Sequence, residues 1–251
     1  MKTSILSKTI KKILILIFWL LLWQIIAKII NNPILFVSPL DCLIRFIYLF
    51  KDINYYKAIL TTLTETLIGL TFAYVLAMLL SYVAYKYKII KDFINPLITI
   101  LKSVPVVSIA IIILIWQGNK FLSFFVSFSV IFPNVYFFAL SAFELTDKKI
   151  LEAAKIYRLK SKEIFLYIYR PNLINILQTT IESSISMAFK STVAAEVIGL
   201  TSQSIGLQFY YGKITLDTAS LFCYTITLII LISIIEKITG KLFSLLGGNN
   251  D

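Results

Sequence analysis

The sequence predicts an all-α, polytopic membrane protein with about six transmembrane helices, and three observations lead there. Of its 251 residues, 59% are hydrophobic and only 15% are charged, with a mean hydropathy of +0.87; an ordinary soluble domain carries about 25% charged residues. Apolar runs of roughly 18 residues or more recur along the chain, the length a helix needs to cross the hydrocarbon core of a bilayer. The positive charges, finally, are divided unevenly between alternate connections, as they are when topology is set by charge.

The first span is expected at 13–30, behind the basic start "MKTSILSKTIKK". That start has the charge of a secretory signal. The apolar run from Ile13 to Ile30 is too long for a signal core, however, and lacks a small-x-small cleavage site, so it reads as an uncleaved span. Further spans are expected at 60–85, 95–117, 120–143, 174–200 and 218–239. Only Gly118, Asn119 and Lys120 separate the third from the fourth, which predicts a tight turn. Pro105 and Pro133 fall within or near these two spans, where proline frees a carbonyl and bends the helix. Ordinary packing kinks account for such bends; a gate at Pro105 is the alternative. No internal repeat or low-complexity linker interrupts the chain, so 1–251 is read as one transmembrane domain.

With the N-terminus in the cytoplasm, sixteen Lys and Arg fall in inside segments and five in outside ones. This predicts a multi-pass membrane protein with both termini cytoplasmic. The net charge of +11 is then a matter of topology and contact with membrane lipids, and no nucleic-acid surface is needed to explain it. Cys42 and Cys223 lie far apart, no CxxC occurs, and histidine is absent altogether. A zinc site of the common Cys/His kind and a Cys–His nucleophile are thereby excluded. The two thiols read as packing residues, and no catalytic or metal-ligating residue is assigned.

Between the fourth and fifth spans lies "EAAKIYRLKSKEIFLYIYRPN", Glu152 to Asn172, on the predicted cytoplasmic side. The stretch from Lys148 to Lys162 contains neither proline nor glycine and is rich in good helix formers. Ile150, Ala153, Ala154 and Tyr157 share one face at helical spacing. Lys148, Glu152 and Lys155 mark a charged one, with Glu152 and Lys155 able to pair. The paired alanines permit close backbone approach by a partner. Pro171 biases Arg170 away from helix and predicts the start of the fifth span there. Amphipathicity alone leaves two readings open, a helix lying on lipid headgroups and a helix docked on a protein.

Glu152, Ala153, Ala154, Ile168 and Pro171 resemble the EAA loop of the permease subunits of binding-protein-dependent ABC importers. The family pattern is EAA, three residues, Gly, nine residues, Ile-x-Leu-Pro. Arg158 stands here in place of its glycine and Arg170 in place of its leucine. Arg158 implies a more continuous helix or a different bend, since glycine is what permits a turn at that point. Two further stretches, "LKSVPVVSIAIIILIWQGNKF" (101–121) and "STVAAEVIGLTSQSIGLQFYYGKITLDTASLF" (191–222), resemble the nitrate/sulfonate/taurine branch. The likeness covers roughly 55–240 and leaves 13–30 as an additional N-terminal span.

What the resemblance implies is a type I importer (MetI-like) permease fold with a cytoplasmic coupling helix. It implies two permease copies forming the path in the bacterial cell membrane, as a homodimer, with two cytoplasmic ATPases each receiving one EAA helix. An extracellular or periplasmic solute-binding protein delivers the solute. On this reading Glu152, Ala153, Ala154, Tyr157, Arg158 and Pro171 serve ATPase coupling. The chain contains no GxxxxGK[ST] phosphate loop, so it is expected to be a transport subunit that binds no cofactor, with ATP and Mg on the partner ATPase. The solute is expected to be nitrate-, sulfonate- or taurine-like, or a related small nutrient.

Ionisable residues within spans are costly and usually face a cavity or a partner. Along the fifth span, Ser183, Ser186 and Lys190 lie within about 40° of Thr179, and Glu182 about 60° to one side. This polar stripe predicts a wall of the translocation path, the alternative being helix–helix contacts through Ser and Thr. Glu196, nearer the outer end, and Pro105 are candidate gate or interface residues. An ion-gradient-driven secondary transporter would also explain intramembrane charge, but it would be expected to show inverted repeats or paired broken helices. A non-transporting scaffold would leave the stripe without purpose.

Overall fold

A computed structural model describes residues 2–247, and among them every regular element is helical. In chain order these are α1 (Lys2–Ile30), α2 (Pro39–Leu49), α3 (Ile53–Lys86), α4 (Lys88–Ser103), α5 (Val106–Gln117) and α6 (Leu122–Glu144). There follow α7 (Lys148–Ile156), α8 (Ser161–Ile164), α9 (Arg170–Gly199), α10 (Ile205–Ile214) and α11 (Thr218–Gly247). Four helices have the length and composition to cross a membrane, within Ile10–Ile30, Ile53–Lys86, Leu122–Glu144 and Thr218–Phe243. The pair α4 and α5 makes a fifth if it is taken as one broken span. α9 occupies the remaining predicted span. Its 30 residues are long enough, but it carries Glu182, Lys190 and Glu196 and is not among the four.

The expected third span, 95–117, is not one rod. α4 and α5 meet at about 100° across Val104 and Pro105. Pro105 has no amide hydrogen to continue α4, and it sets its own φ of −59° at the start of α5. The sharp bend is thus more than a packing kink. α4 packs on the C-terminal half of α6, where Tyr136 donates to Asn95 at 2.7 Å and Lys91 pairs with Glu144.

The core is built on α3, α6 and α9. The face of α3 turned inward is a stripe of small residues, Ala58, Thr62, Thr66, Gly69, Ala73, Ala77, Ser81 and Ala84, all buried. Such a stripe lets helix backbones approach closely where lipid offers no hydrophobic drive for association. At Gly69 the approach excludes any side chain, since a Cβ there would stand 2.5 Å from the carbonyl of Phe124. α3 and α6 run parallel: Ser127 donates to the Thr66 carbonyl at 3.0 Å near one end, and Tyr82 packs on Phe143 near the other. α9 runs antiparallel to both, with Thr192 near Ser123 and Asn172 bonded to Thr146. Leu122, Ile131, Tyr136, Ile185 and Phe189 fill the space between them.

α1 stands apart from this core, exposed along most of its length. Only its end and the following segment dock. Trp23 donates from Nε1 to the Val37 carbonyl at 2.8 Å and stacks on Phe222.

Candidate functional site

The charged loop after α6 begins with a capped helix. Asp147 accepts from the Lys149 amide at 2.8 Å, satisfying one of the free donors at the start of α7. Ala154 is buried and Ala153 half-buried. Glu152 and Lys155 are exposed, and Ile156 and Tyr157 are each 79% exposed. Tyr157 therefore does not share the covered face of the alanines, as its sequence spacing suggested. With Glu152 and Ile156 it forms a free surface of one carboxylate and two large apolar groups.

α7 stops at Tyr157, so of the two outcomes open at Arg158, a more continuous helix and a different bend, the bend is the one formed. Arg158 takes a left-handed backbone, φ 54°. The Arg158 amide donates to the Lys155 carbonyl at 3.0 Å and the Leu159 amide to the Ala154 carbonyl at 3.0 Å. This double closure is a Schellman helix end, in which glycine is the usual residue at the left-handed position. Arg158 thus makes the turn that glycine would make, at a steric cost of about 1–2 kcal/mol. The next helical run starts where Glu163 accepts from the Lys160 amide at 2.6 Å.

That run passes through a π-helical turn, Phe165–Tyr169, into α9 without a break. Arg170 is helical at φ −55° and ψ −46°, and its amide reaches back five residues to the Phe165 carbonyl. The wide turn absorbs the missing amide of Pro171, which is exposed in the first turn of α9. Pro171 does mark the start of α9, but it does not pull Arg170 out of helix. Tyr169 ties the π turn to the core, its hydroxyl 3.2 Å from that of Tyr85 and its ring against Phe143.

Along α9, Thr179, Glu182, Ser183 and Lys190 are exposed and Ser186 is half-buried. The opposite face, Leu177, Ile181, Ile185 and Phe189, is buried. The Thr179 and Ser183 hydroxyls donate to carbonyls of their own helix, Ile176 and Thr180, each at 2.8 Å. The stripe is therefore a largely exposed polar row on the face away from the buried one. Glu196 lies elsewhere. It is fully buried, with Oε1 accepting from Ser123 at 2.9 Å and Oε2 from Thr62 and the Gly206 amide, each at 3.0 Å. These bonds join α9 to α6, α3 and α10 within one chain, and Pro105 stands exposed at the α4–α5 break, apart from them.

Sequence reasoning missed Thr62, Ser123 and Gly206 as partners, and it also missed the cluster that holds α2. There Arg45 donates to Ser220 at 2.7 Å and pairs with Asp217, while Thr218 donates to the Ile34 carbonyl at 2.6 Å. Burial pushes the Asp217 carboxyl upward, but hydrogen bonds from the Ser220 amide and hydroxyl and the charge of Arg45 outweigh it and hold the group below its ordinary range. Asp217 stands just ahead of a span, and no local pattern in the sequence points to its partner Arg45, 172 residues away.

Residues 69–242 match the family described as binding-protein-dependent transport system inner membrane component. The chain belongs to this family. It is accordingly the membrane-spanning permease subunit of an ABC importer, a transport protein that works with an ATPase and a solute-binding protein. The matched segment runs from Gly69 in α3 to the last turns of α11 and leaves α1 and α2 outside. Among curated proteins, the chain is 23% identical over 185 residues to the formylaminopyrimidine transport permease protein ThiX of Halalkalibacterium halodurans, covering 72% of each chain. That relative is named for a solute other than nitrate, sulfonate or taurine.

Proposed function

We propose that α7 and the turn at Arg158 form the coupling element through which a separate ATPase, carrying ATP and Mg, drives this permease. The carrying observation is the helix end. The family's glycine is missing from the sequence, yet Arg158 adopts the left-handed backbone that glycine serves, leaving Glu152, Ile156 and Tyr157 on a free surface. The Tyr169 contact with Tyr85 and Phe143 supports a rigid link from this surface to α3 and α6. Two copies of the chain, as a homodimer in the cell membrane with both termini cytoplasmic, then turn their α9 stripes toward a common path.

The solute is a small nutrient handed over by the binding protein. Lys190 on the stripe suits the anionic or zwitterionic solutes of the nitrate, sulfonate and taurine branch. The ThiX relative adds formylaminopyrimidines to the candidates.

Reversing charge at the docking surface tests the coupling role. With Glu152→Lys, we expect weaker co-purification of the ATPase, or ATP hydrolysis that no longer drives uptake in proteoliposomes. Full uptake with normal ATPase stoichiometry would refute the assignment.

A further inference from the structure

Cys42 and Cys223 stand 181 residues apart in sequence, and the fold brings them together. Cys42 lies in α2 and Cys223 in the second turn of α11, both buried in one apolar cluster with Val37, Tyr55 and Tyr224. The Cys223 thiol donates to the Cys42 carbonyl at 3.4 Å. Neither the proposed coupling surface nor the polar stripe of α9 uses them.

Their surroundings are held independently. Arg45, one turn beyond Cys42, is bonded to Ser220, one turn before Cys223, and paired with Asp217 just ahead of α11. Thr218 fixes the segment ahead of α2 through the Ile34 carbonyl. These contacts fix the spacing of the two helices on either side of the sulfur atoms. The 3.4 Å approach of the Cys223 sulfur to the Cys42 backbone puts the two side chains side by side, and a disulfide between them would replace that bond.

We propose that Cys42 and Cys223 are a redox-reactive pair that oxidises to an intrachain disulfide, fastening α2 to α11. One thiol, deprotonated, attacks a small uncharged two-electron oxidant such as a quinone. The second thiolate then displaces the reduced oxidant from the first sulfur. Two S–H bonds are lost and one S–S bond forms; two protons and two electrons leave with the oxidant as quinol. Both thiols are buried, so the oxidant the proposal requires is small and uncharged. The disulfide would fasten covalently the N-terminal segment that lies outside the family-matched residues.

The test uses the full-length chain in membranes, treated with diamide, a small neutral oxidant that takes up two electrons and two protons as the hydrazine. After quenching, the protein is unfolded in SDS and labelled with a polyethylene-glycol maleimide. Untreated protein should carry two labels and oxidised monomer none, with both restored by dithiothreitol. Cys42→Ala should carry one label before and after treatment. Because that variant can fail to fold, the wild-type result decides alone. Two labels persisting after a dose that oxidises the SDS-unfolded chain would overturn the proposal, as would a disulfide-linked dimer in place of the oxidised monomer.

Discussion

Glu196 accepts from Thr62, Ser123 and Gly206, so one fully buried side chain satisfies donors on three other helices. Removing it leaves those donors facing each other in a water-free space, and each orphaned buried group costs about 1–3 kcal/mol. Glu196→Ala should therefore lose about 3 kcal/mol or more, read as a lower midpoint of thermal unfolding in detergent and less protein in the membrane. Glu196→Gln should lose less, because it keeps the shape but turns one acceptor into a donor opposite Thr62 or the Gly206 amide. An unchanged midpoint for the alanine variant would contradict the junction role. Gly206 admits no substitute, since a Cβ there would stand 2.2 Å from that of Glu196. The sequence marked Glu196 as an ionisable group in a span but not its partners, which are 134 and 73 residues away and carry no local pattern. At Arg158 the sequence left a longer helix and a bend both open. Local propensity favoured helix there, and the left-handed turn is imposed by the two backbone bonds that close α7.

At the scale of elements, the attachment of α2 to the start of α11 depends on charge. The folded-state pKa of Asp217 is depressed. Its stabilising contribution is therefore complete above the ordinary aspartate value, about 3.9, and is lost as pH falls through the depressed one. Limited proteolysis between α1 and α3 should show wild-type protein releasing this segment as pH falls below about 4. Asp217→Asn should be cleaved more readily at neutral pH and show a smaller change on acidification. A pH profile identical in the two proteins would remove Asp217 from the attachment. Most elements were legible from hydropathy and proline placement: α1, α3, α6, α9 and α11 lie where apolar length predicts them. The α4–α5 break was only half legible. Pro105 announced a bend, but its size follows from α4 lying against Glu144 and Tyr136, contacts that periodicity does not encode.

For the molecule as a whole, α3, α6 and α9 form the packed body, and two surfaces stay free of it: the end of α7 and the stripe on α9. The stripe was readable because a polar row at helical spacing stands out in an apolar span; which side it turns to depends on Leu177, Ile181, Ile185 and Phe189 filling the core behind it. Lys190 is exposed and forms no ion pair among the described residues. A lysine left unpaired along a span is costly unless water or a solute reaches it. If the stripes of two copies line the path for an anion, Lys190 contributes a charge-assisted hydrogen bond of about 1.5–3 kcal/mol, and 1.4 kcal/mol is about tenfold. Lys190→Met should then reduce uptake of an anionic solute by roughly tenfold or more and weaken solute-stimulated ATP hydrolysis, with ATPase assembly unchanged. Thr179→Ala, which removes a hydroxyl already bonded to its own helix, should change uptake far less. Normal uptake and normal stimulated hydrolysis in the Lys190→Met transporter would return that lysine to a packing role, and with it the anion reading of the path.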